Sequence, residues 1–314
     1  MKQPSVTILL TVRNSAGTIK KCVDSLLNQD YKNKKIYVTD AFSTDGTYEI
    51  LKKFGKKIKL EQVRGNMAIA YNHMLKKVNT EFVAFIDGDA IAEKDWLTRL
   101  IDAFEEDSVA VGGKPLTPKT KNKLQELIGK ELEFRFNKLP KYVSRLPTMN
   151  LCVRTEYAKK VIFRADLDVV QETEWGYRLT KYGKMIYEPA AVVWHHHRAT
   201  WKSYFKQQMN YAKFVPTAYR SHKRKATGDE ITPGLMVIQI PLLYLAALFF
   251  ILSFSKMFHQ LWQFTFGFLC LLYVYMSALI TTNISDFFYL ILIFFVRNIA
   301  WCIGGLIGLP KVFK

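Results

Sequence analysis

The densest chemistry in the chain is Asp87-Gly-Asp89, at the end of the apolar run Phe82-Val-Ala-Phe-Ile86. A strand end fixes the backbone, and alternate residues there point different ways. One carboxylate can face a ribose while the other, Asp89, holds a divalent cation. Mg2+ or Mn2+ prefers oxygen ligands, bridges diphosphate oxygens and stabilises charge on a departing diphosphate. Asp40 follows the run Lys35–Thr39 and would face the same crevice, whereas Asp45 reads as a turn or helix cap. His195-His-His197 follows Ala191-Val-Val-Trp194. On a strand, His195 and His197 share a face, where a neutral imidazole could complete a metal shell or contact diphosphate. A structural role for each histidine, His196 above all, stays open at this point. Cys22, Cys152, Cys270 and Cys302 form no CxxC pair, which argues against a zinc knuckle or a disulfide framework.

These residues need a frame to hold them. Val6–Leu10, Lys35–Thr39, Ile58–Gln62 and Glu81–Ile86 read as strands. Between them, Ala16–Leu27, Gly46–Lys53 and Met67–Lys77 read as helices, the first with Ile19, Val23, Leu26 and Leu27 near helical spacing. Strands alternating with helices predict an α/β fold: a mostly parallel, Rossmann-like sheet with ligands at the carboxyl ends of its strands. Asp40 and Asp87 stand at two such ends. Leu124, Leu127, Ile128, Leu132 and Phe136 make a helical stripe over Asn122–Leu139, facing a core or lying on a membrane.

Six motifs occur in order: Thr11-Val-Arg-Asn-Ser15; Asp40–Thr47; Arg64-Gly-Asn66 with Ala70-Tyr-Asn72; Asp87-Gly-Asp89; Gln171-Glu-Thr-Glu-Trp-Gly-Tyr-Arg178; and His195-His-His-Arg198. Together, over roughly residues 5–215, they resemble the inverting glycosyltransferases of family 2. Thr11 and Ser15 depart from that pattern at a usual Pro and Glu, Ala41 at an Asp, Tyr71 at an Arg, and Gln171-Glu172 at Glu-Asp. The resemblance implies a GT-A fold, Mg2+ or Mn2+, and a single displacement with inversion. It puts Glu172 in the position of the general base, with Glu174 as the second candidate and a helix cap as the alternative for Glu172. Arg178 reads as paired to an acid on that helix. The resemblance also assigns donor contacts to Thr11, Arg13, Asn14, Asp40, Arg64, Asn72, Asp87 and Asp89. Asn150 and Trp175 fall on the acceptor side, and Asp89, His195 and His197 on the metal.

The chain carries 45 basic and 27 acidic residues, of which only four basic and one acidic fall after Gly234, leaving +15 on the part before it. A basic domain fits anionic lipid and also a nucleic acid; the apolar tail favours the membrane, so no nucleic-acid partner is expected. Leu235–Phe254, Leu261–Ile280 and Phe287–Leu306 are each about long enough to span a bilayer. Arg297 and Asn298 in the third need a partner or a polar cavity. Aromatic residues beside lysines over Thr200–Tyr219 favour an interfacial helix. Met1–Ser5 lead straight into strand-like sequence, so the catalytic domain is expected on the cytoplasmic side. Three full spans would then put Lys311 and Lys314 outside, against the positive-inside tendency, unless one segment is re-entrant or interfacial. The expected organisation is a GT-A domain over 1–198, an interfacial helix and basic linker over 199–233, and a membrane region over 234–314. The expected partners are a nucleotide-sugar donor, membrane lipid, and a lipid-linked saccharide or polyprenyl-phosphate acceptor. Polyprenyl-phosphate glycosyltransferases usually carry a Gly-Ser-Arg strand where Val109-Ala-Val-Gly-Gly-Lys114 stands here, and the Gln-x-x-Arg-Trp pattern of processive synthases is absent. A membrane protein that only binds nucleotide sugar is the non-enzymatic alternative.

Overall fold

The computed structural model describes residues 3–312. Lys314, used above for the positive-inside argument, lies outside them. The elements run β1 (Val6–Val12), α1 (Ile19–Leu27), β2 (Lys34–Asp40), α2 (Thr47–Lys52), β3 (Lys59–Gln62), α3 (Met67–Lys77), β4 (Phe82–Ile86), β5 (Ala90–Ala92) and α4 (Trp96–Asp102). Then come β6 (Ser108–Leu116), α5 (Lys123–Phe136), β7 (Tyr142–Val143), β8 (Asn150–Arg154), α6 (Thr155–Lys160), α7 (Gln171–Leu179) and β9 (Lys184–His195). The chain ends with α8 (Trp201–Tyr219), α9 (Gly234–Val237), α10 (Gln239–Ile251), α11 (Lys256–Ile280) and α12 (Ile284–Gly308). They group into two units: Met1–Pro118 with Arg135–His196, and Lys119–Phe134 with His197–Lys314.

The first unit is a nine-stranded sheet in the order β3-β2-β1-β4-β8-β6-β9-β5, with β7 on β9. β3, β2, β1 and β4 are all parallel, as expected from the alternation of strands and helices. The rest is mixed: β8 runs antiparallel to β4 and β6, and β5 antiparallel to β9. On one face, alternate residues Val6, Ile8, Leu10 and Val12 of β1 meet Ile19, Cys22, Val23 and Leu26 of α1 in one core. Those four α1 positions fall at i, i+3, i+4 and i+7, which is one helical face. On the other face Phe85 packs edge-on against Tyr71 and Trp175, and Phe163 stacks on Trp175 at 4.1 Å between ring centroids. This aromatic block anchors α3 and α7 to the sheet.

The second unit holds most of α5 with the C-terminal helices. Leu124 and Leu127, Tyr204 of α8, Leu269 and Tyr273 of α11, and Leu290, Ile293 and Phe294 of α12 share a core. Leu124, Leu127 and Ile128 of the α5 stripe therefore face the core of the C-terminal unit, whereas Phe136 packs on Tyr187 in the first unit. A Cβ on Gly304 or Gly308 would collide with the backbone carbonyls of Met209 and Lys213, so α8 and α12 approach backbone to backbone. Gly234–Ile251, Lys256–Ile280 and Ile284–Gly308 are long and apolar enough to cross a membrane. Arg297 and Asn298 are each partly satisfied, with Arg297 Nε and Nη2 and Asn298 Oδ1 left without a hydrogen-bond partner. Arg297 Nη1 meets Glu131 Oε1 at 3.1 Å, and Asn298 Nδ2 donates to Gln239 Oε1 at 2.7 Å and to the Tyr273 hydroxyl at 2.9 Å. Lys123 and Lys130 both pair with Asp286.

Candidate active site

The Asp87-Gly88-Asp89 turn is built from below by α1. The Thr18 hydroxyl donates to Gly88 O at 2.9 Å, and the Cys22 thiol to Asp87 O at 3.4 Å. A Cβ on Gly88 would sit 2.6 Å from Val12 Cγ1, so only glycine fits between the two acids. From the far side, β5 pairs with β9 in a register that sets Ala90 opposite His195. The Trp194 indole N–H, bonded to the Glu93 carboxylate, ties the same two segments. That ladder brings His195 Nε2 to 3.3 Å from Asp89 Oδ1 and 4.0 Å from Asp87 Oδ2.

Asp87, Asp89 and His195 offer three ligand atoms within 4.8 Å of one another. Burial pushes the Asp87 carboxyl up to about 7, Asp89 and Glu172 push the same way, and only His195 opposes them. Two carboxylates and an imidazole that crowd like charge together are a donor set suited to a hard or borderline divalent cation. Asp87 lies with Asp89 and His195 in this cluster, and β9 ends at His195, so the strand alternation that would align His197 with it stops there. The His197 carbonyl instead accepts from Gln125.

The donor-side residues line the carboxyl ends of β1, β2 and β3. Thr11 is half-buried near the end of β1, and Arg13 and Asn14 are exposed on the loop after it. Asn14 adopts a left-handed φ of 53°, with its N–H on Ser43 Oγ and its Oδ1 accepting from Thr44 N. Asp45 caps α2 through Thr47 and binds Ala16 N, locking the two loops together. Asp40 is wholly buried; Oδ2 accepts from Ser43 N and Gln62 Nε2, both at 3.0 Å, while Oδ1 has no hydrogen-bond partner. Arg64 is exposed and lies over the Phe42 ring.

Three expected contacts go elsewhere. Asn72 spends its amide on both backbone groups of Phe163. Asn150 is wholly buried, donating to the Ala191 and Lys114 carbonyls and accepting from the Trp96 indole N–H. Trp175 is also wholly buried in the aromatic block, its N–H on the Val161 carbonyl, because the apolar face of α7 must cover the sheet. These three side chains are bonded to backbone or packed in the core.

The two acids of α7 differ sharply. Arg178 grips Glu174 with Nε–Oε1 at 2.8 Å and Nη2–Oε2 at 2.7 Å, and Glu174 is buried. Glu172 lies half-buried in the first turn of α7. Burial raises its pKa, while its own backbone N–H and Arg145 pull it back. Arg145 is kept close by a backbone approach to Gly176, where a Cβ would meet Arg145 Cβ at 2.7 Å.

With this geometry in place, the family model described as glycosyl transferase family 2 matches residues 7–165, half of the chain. The chain belongs to glycosyl transferase family 2. Among curated relatives, a glycosyltransferase, GlyA, from Streptococcus pneumoniae serotype 4 is 32% identical over 34% of this chain and 16% of its own length. A poly-beta-1,6-N-acetyl-D-glucosamine synthase from Staphylococcus aureus is 25% identical over 66% of this chain and 54% of its own. The chain thus spans about half of that synthase and a small part of GlyA. Among solved structures, a mannosyltransferase from Pyrobaculum calidifontis in complex with GDP-Man and Mn2+ superposes with a TM-score of 0.61 at 14% identity, covering 99% of this chain and 88% of that one. This likeness establishes the GT-A fold for the family 2 domain.

Proposed function

We propose that this family 2 glycosyltransferase moves a sugar, with inversion, from a nucleotide-diphosphate sugar to a hydroxyl of a lipid-linked saccharide. We place that reaction at the cytoplasmic face of a membrane. The observation that carries the reaction type is the contrast on α7: Arg178 occupies both oxygens of Glu174, whereas Glu172 carries no such clamp and adds its field to that of Asp87. Glu172 would accept the proton of the acceptor hydroxyl as that oxygen bonds to the anomeric carbon. The bond from that carbon to the diphosphate breaks, and its electron pair leaves with the nucleoside diphosphate. Asp87, Asp89 and His195 would hold Mg2+ or Mn2+, which when bound neutralises charge on the leaving diphosphate. Thr11, Arg13, Asn14 and Arg64 border the donor side of the same crevice. The membrane setting is supported by three spanning-length apolar helices and by the +15 carried ahead of them.

The test is a donor screen with full-length protein in detergent or native membranes, with Mn2+ or Mg2+, UDP- and GDP-sugars and extracted lipid acceptors. Metal-dependent transfer from one nucleotide sugar to a lipid-extractable product is expected. Hydrolysis or transfer that is equally fast in excess chelator, or no reaction from any nucleotide sugar, would overturn the proposal.

A further inference from the structure

By length and composition α12 is a third membrane span, but its neighbours are not those of one. α9 and α10 form an antiparallel hairpin with α11. Gln239 Nε2 meets Met276 Sδ at 2.7 Å near one end, and Phe250 lies against Trp262 at 5.4 Å between ring centroids near the other. Only Thr281–Asn283 separate α11 from α12. A third span after so short a turn would retrace α11 level by level. Cys302 lies as far past Ile284 as Trp262 lies before Ile280, so it would stand level with Trp262 and Phe250. Instead the Cys302 carbonyl accepts from the Tyr244 hydroxyl at 2.6 Å, and its Sγ lies 3.8 Å from Ile240 O. Those partners fall short of that level by roughly 9–15 Å, at about 1.5 Å per residue. One turn earlier, Asn298 bonds Gln239 and Tyr273 together. α12 therefore crosses the hairpin from α11 to α10 near the end that holds Gly234, rather than running down it.

The helix beside α12 carries charge along the same length. α8 runs parallel to it: Trp201 stacks on Tyr289 at 5.5 Å, Trp301 Nε1 donates to Gln208 Oε1 at 2.9 Å, and Gly304 and Gly308 sit on the Met209 and Lys213 carbonyls. From Tyr289 to Gly308 is about 28 Å of helix, close to the hydrocarbon thickness of a bilayer. Lys202, Lys206, Lys213 and Arg220 recur at i, i+4, i+11 and i+18, within an arc of about 40°. α8 has no acidic residue, and its buried residues Tyr204, Ala212, Phe214 and Ala218 lie on the other side. A spanning α12 would draw this basic stripe through the hydrocarbon, where each Lys or Arg is strongly unfavourable. Yet α12 also exposes an apolar stripe, Phe288, Leu292, Ile303 and Leu306, along its length. A joined helix pair with one basic and one apolar side is the pattern of an element lying at a lipid surface.

We infer that α12 does not cross the membrane: paired with α8 it lies in the headgroup region of an anionic bilayer, its apolar stripe on the hydrocarbon and the basic stripe of α8 on lipid phosphates. Only the hairpin of α9, α10 and α11 then crosses, and the residues after α12 stay on the side of Gly234. Lys311 falls on that side, which removes the conflict with the positive-inside tendency that three spans create. The inference rests on the membrane setting proposed above and is independent of the reaction.

Two measurements on the full-length chain test it. Green fluorescent protein, bright only in the cytoplasm, and alkaline phosphatase, active only outside it, are joined in turn to each end in a bacterial inner membrane. Both ends should report the same side. Opposite sides would show that α12 crosses, overturning the inference and leaving the membrane setting intact. Release of the chain by alkaline carbonate would overturn both. The lipid contact is read by thermal unfolding in micelles doped with phosphatidylglycerol or phosphatidylcholine. The melting temperature of wild type should rise more with phosphatidylglycerol, and salt should weaken that difference. Lys202→Gln, Lys206→Gln and Lys213→Gln together should remove most of the difference. The same change at the exposed Lys52, Lys53 and Lys56 should leave it in place. An undiminished difference in the α8 variant, or an equal loss in the control, would overturn the contact between α8 and lipid phosphates.

Discussion

Asp87 and Asp89 are like charges set side by side at strand ends, whereas Glu131 and Arg297 are opposite charges set against each other among apolar helices. The first cluster holds repulsion that folding alone would remove: burial and Asp89 drive the Asp87 carboxyl to about 7. In the second, opposite charges meet: the carboxylate of Glu131 pairs with Nη1 of the guanidinium that α12 buries, while Nε and Nη2 keep no hydrogen-bond partner. Phe294 and Trp301 lie against the same guanidinium, at 4.8 and 5.0 Å from ring centroid to its carbon. A protein neutralises charge where only architecture is at stake and leaves it unbalanced where a cation or a proton must be handled. Substitutions in the two clusters should therefore separate activity from stability.

The largest separation is expected at Asp89. Asp89→Ala should lower transfer by about 10²–10³-fold, the scale of losing a preorganised charge-stabilising group. Its melting temperature without metal should hold or rise, because a like charge has been removed. Rate assays beside thermal unfolding in chelator check both halves; near-wild-type transfer would break the comparison.

Glu172 comes next. Glu172→Gln keeps size and polarity but cannot accept a proton, so kcat should fall by about 10²–10⁴-fold with nucleotide affinity unchanged. A base works only when deprotonated, and burial raises this carboxyl above its ordinary value. The acid limb of the wild-type rate profile should therefore lie above the usual carboxylate range, and the Gln variant should lack it. Glu174→Gln should instead lower the melting temperature, since it leaves Arg178 without its buried bidentate partner. If Glu174→Gln abolishes turnover and Glu172→Gln does not, the roles are exchanged. If neither does, an acceptor that is already an anionic phosphate gains ground.

How much of this was legible in the sequence follows from how local each cause is. The parallel half of the sheet is written in alternating periodicities, and Asp40 and Asp87 are visible because strand ends are where those periods break. The mixed half was not legible, because β8 and β9 pair with strands far along the chain and no local pattern fixes that order. His195 could be named from its motif, but its approach to Asp89 depends on the Ala90–His195 register. Whether His197 continues the strand could not be read either, since where β9 stops is decided by that pairing. Asn72 and Trp175 lie in motifs and Asn150 was assigned by the resemblance, yet only the neighbours show them bonded to backbone and core.

The membrane-side pair sharpens the comparison from the other direction. Glu131→Gln removes the carboxylate that meets Arg297, and breaking a buried pair from one side costs about 3–5 kcal/mol. Joint replacement of Glu131 and Arg297 by leucine should recover most of that. Thermal unfolding in detergent reads both, and turnover per folded molecule should not change. A Glu131→Gln protein as stable as wild type would mean that Arg297 is not held by this partner.

The smallest effect tests whether the acidic turn is preorganised by α1 or only by the metal it would hold. The single hydroxyl proton of Thr18 goes to Gly88 O at 2.9 Å, the nearer of two carbonyls, with Ser15 O at 3.3 Å. Thr18→Val keeps the shape and β-branching of the side chain and removes the donor. A hydrogen bond of this kind contributes about 1 kcal/mol, and the Gly88 carbonyl it leaves lies between the two acids. If the bond fixes the spacing of those acids, Mn2+ affinity should fall about five-fold, close to the whole value of the bond, while the melting temperature in chelator changes little. In the metal-free protein the like charges spread the turn and loosen this bond, so its loss there costs little stability. With Mn2+ bound, the same bond sets how well the carboxylates fit the ion. An unchanged Mn2+ affinity with a lower melting temperature would reverse that assignment and make Thr18 a part of the fold alone. Metal titration by calorimetry beside thermal unfolding, each with and without chelator, distinguishes the two.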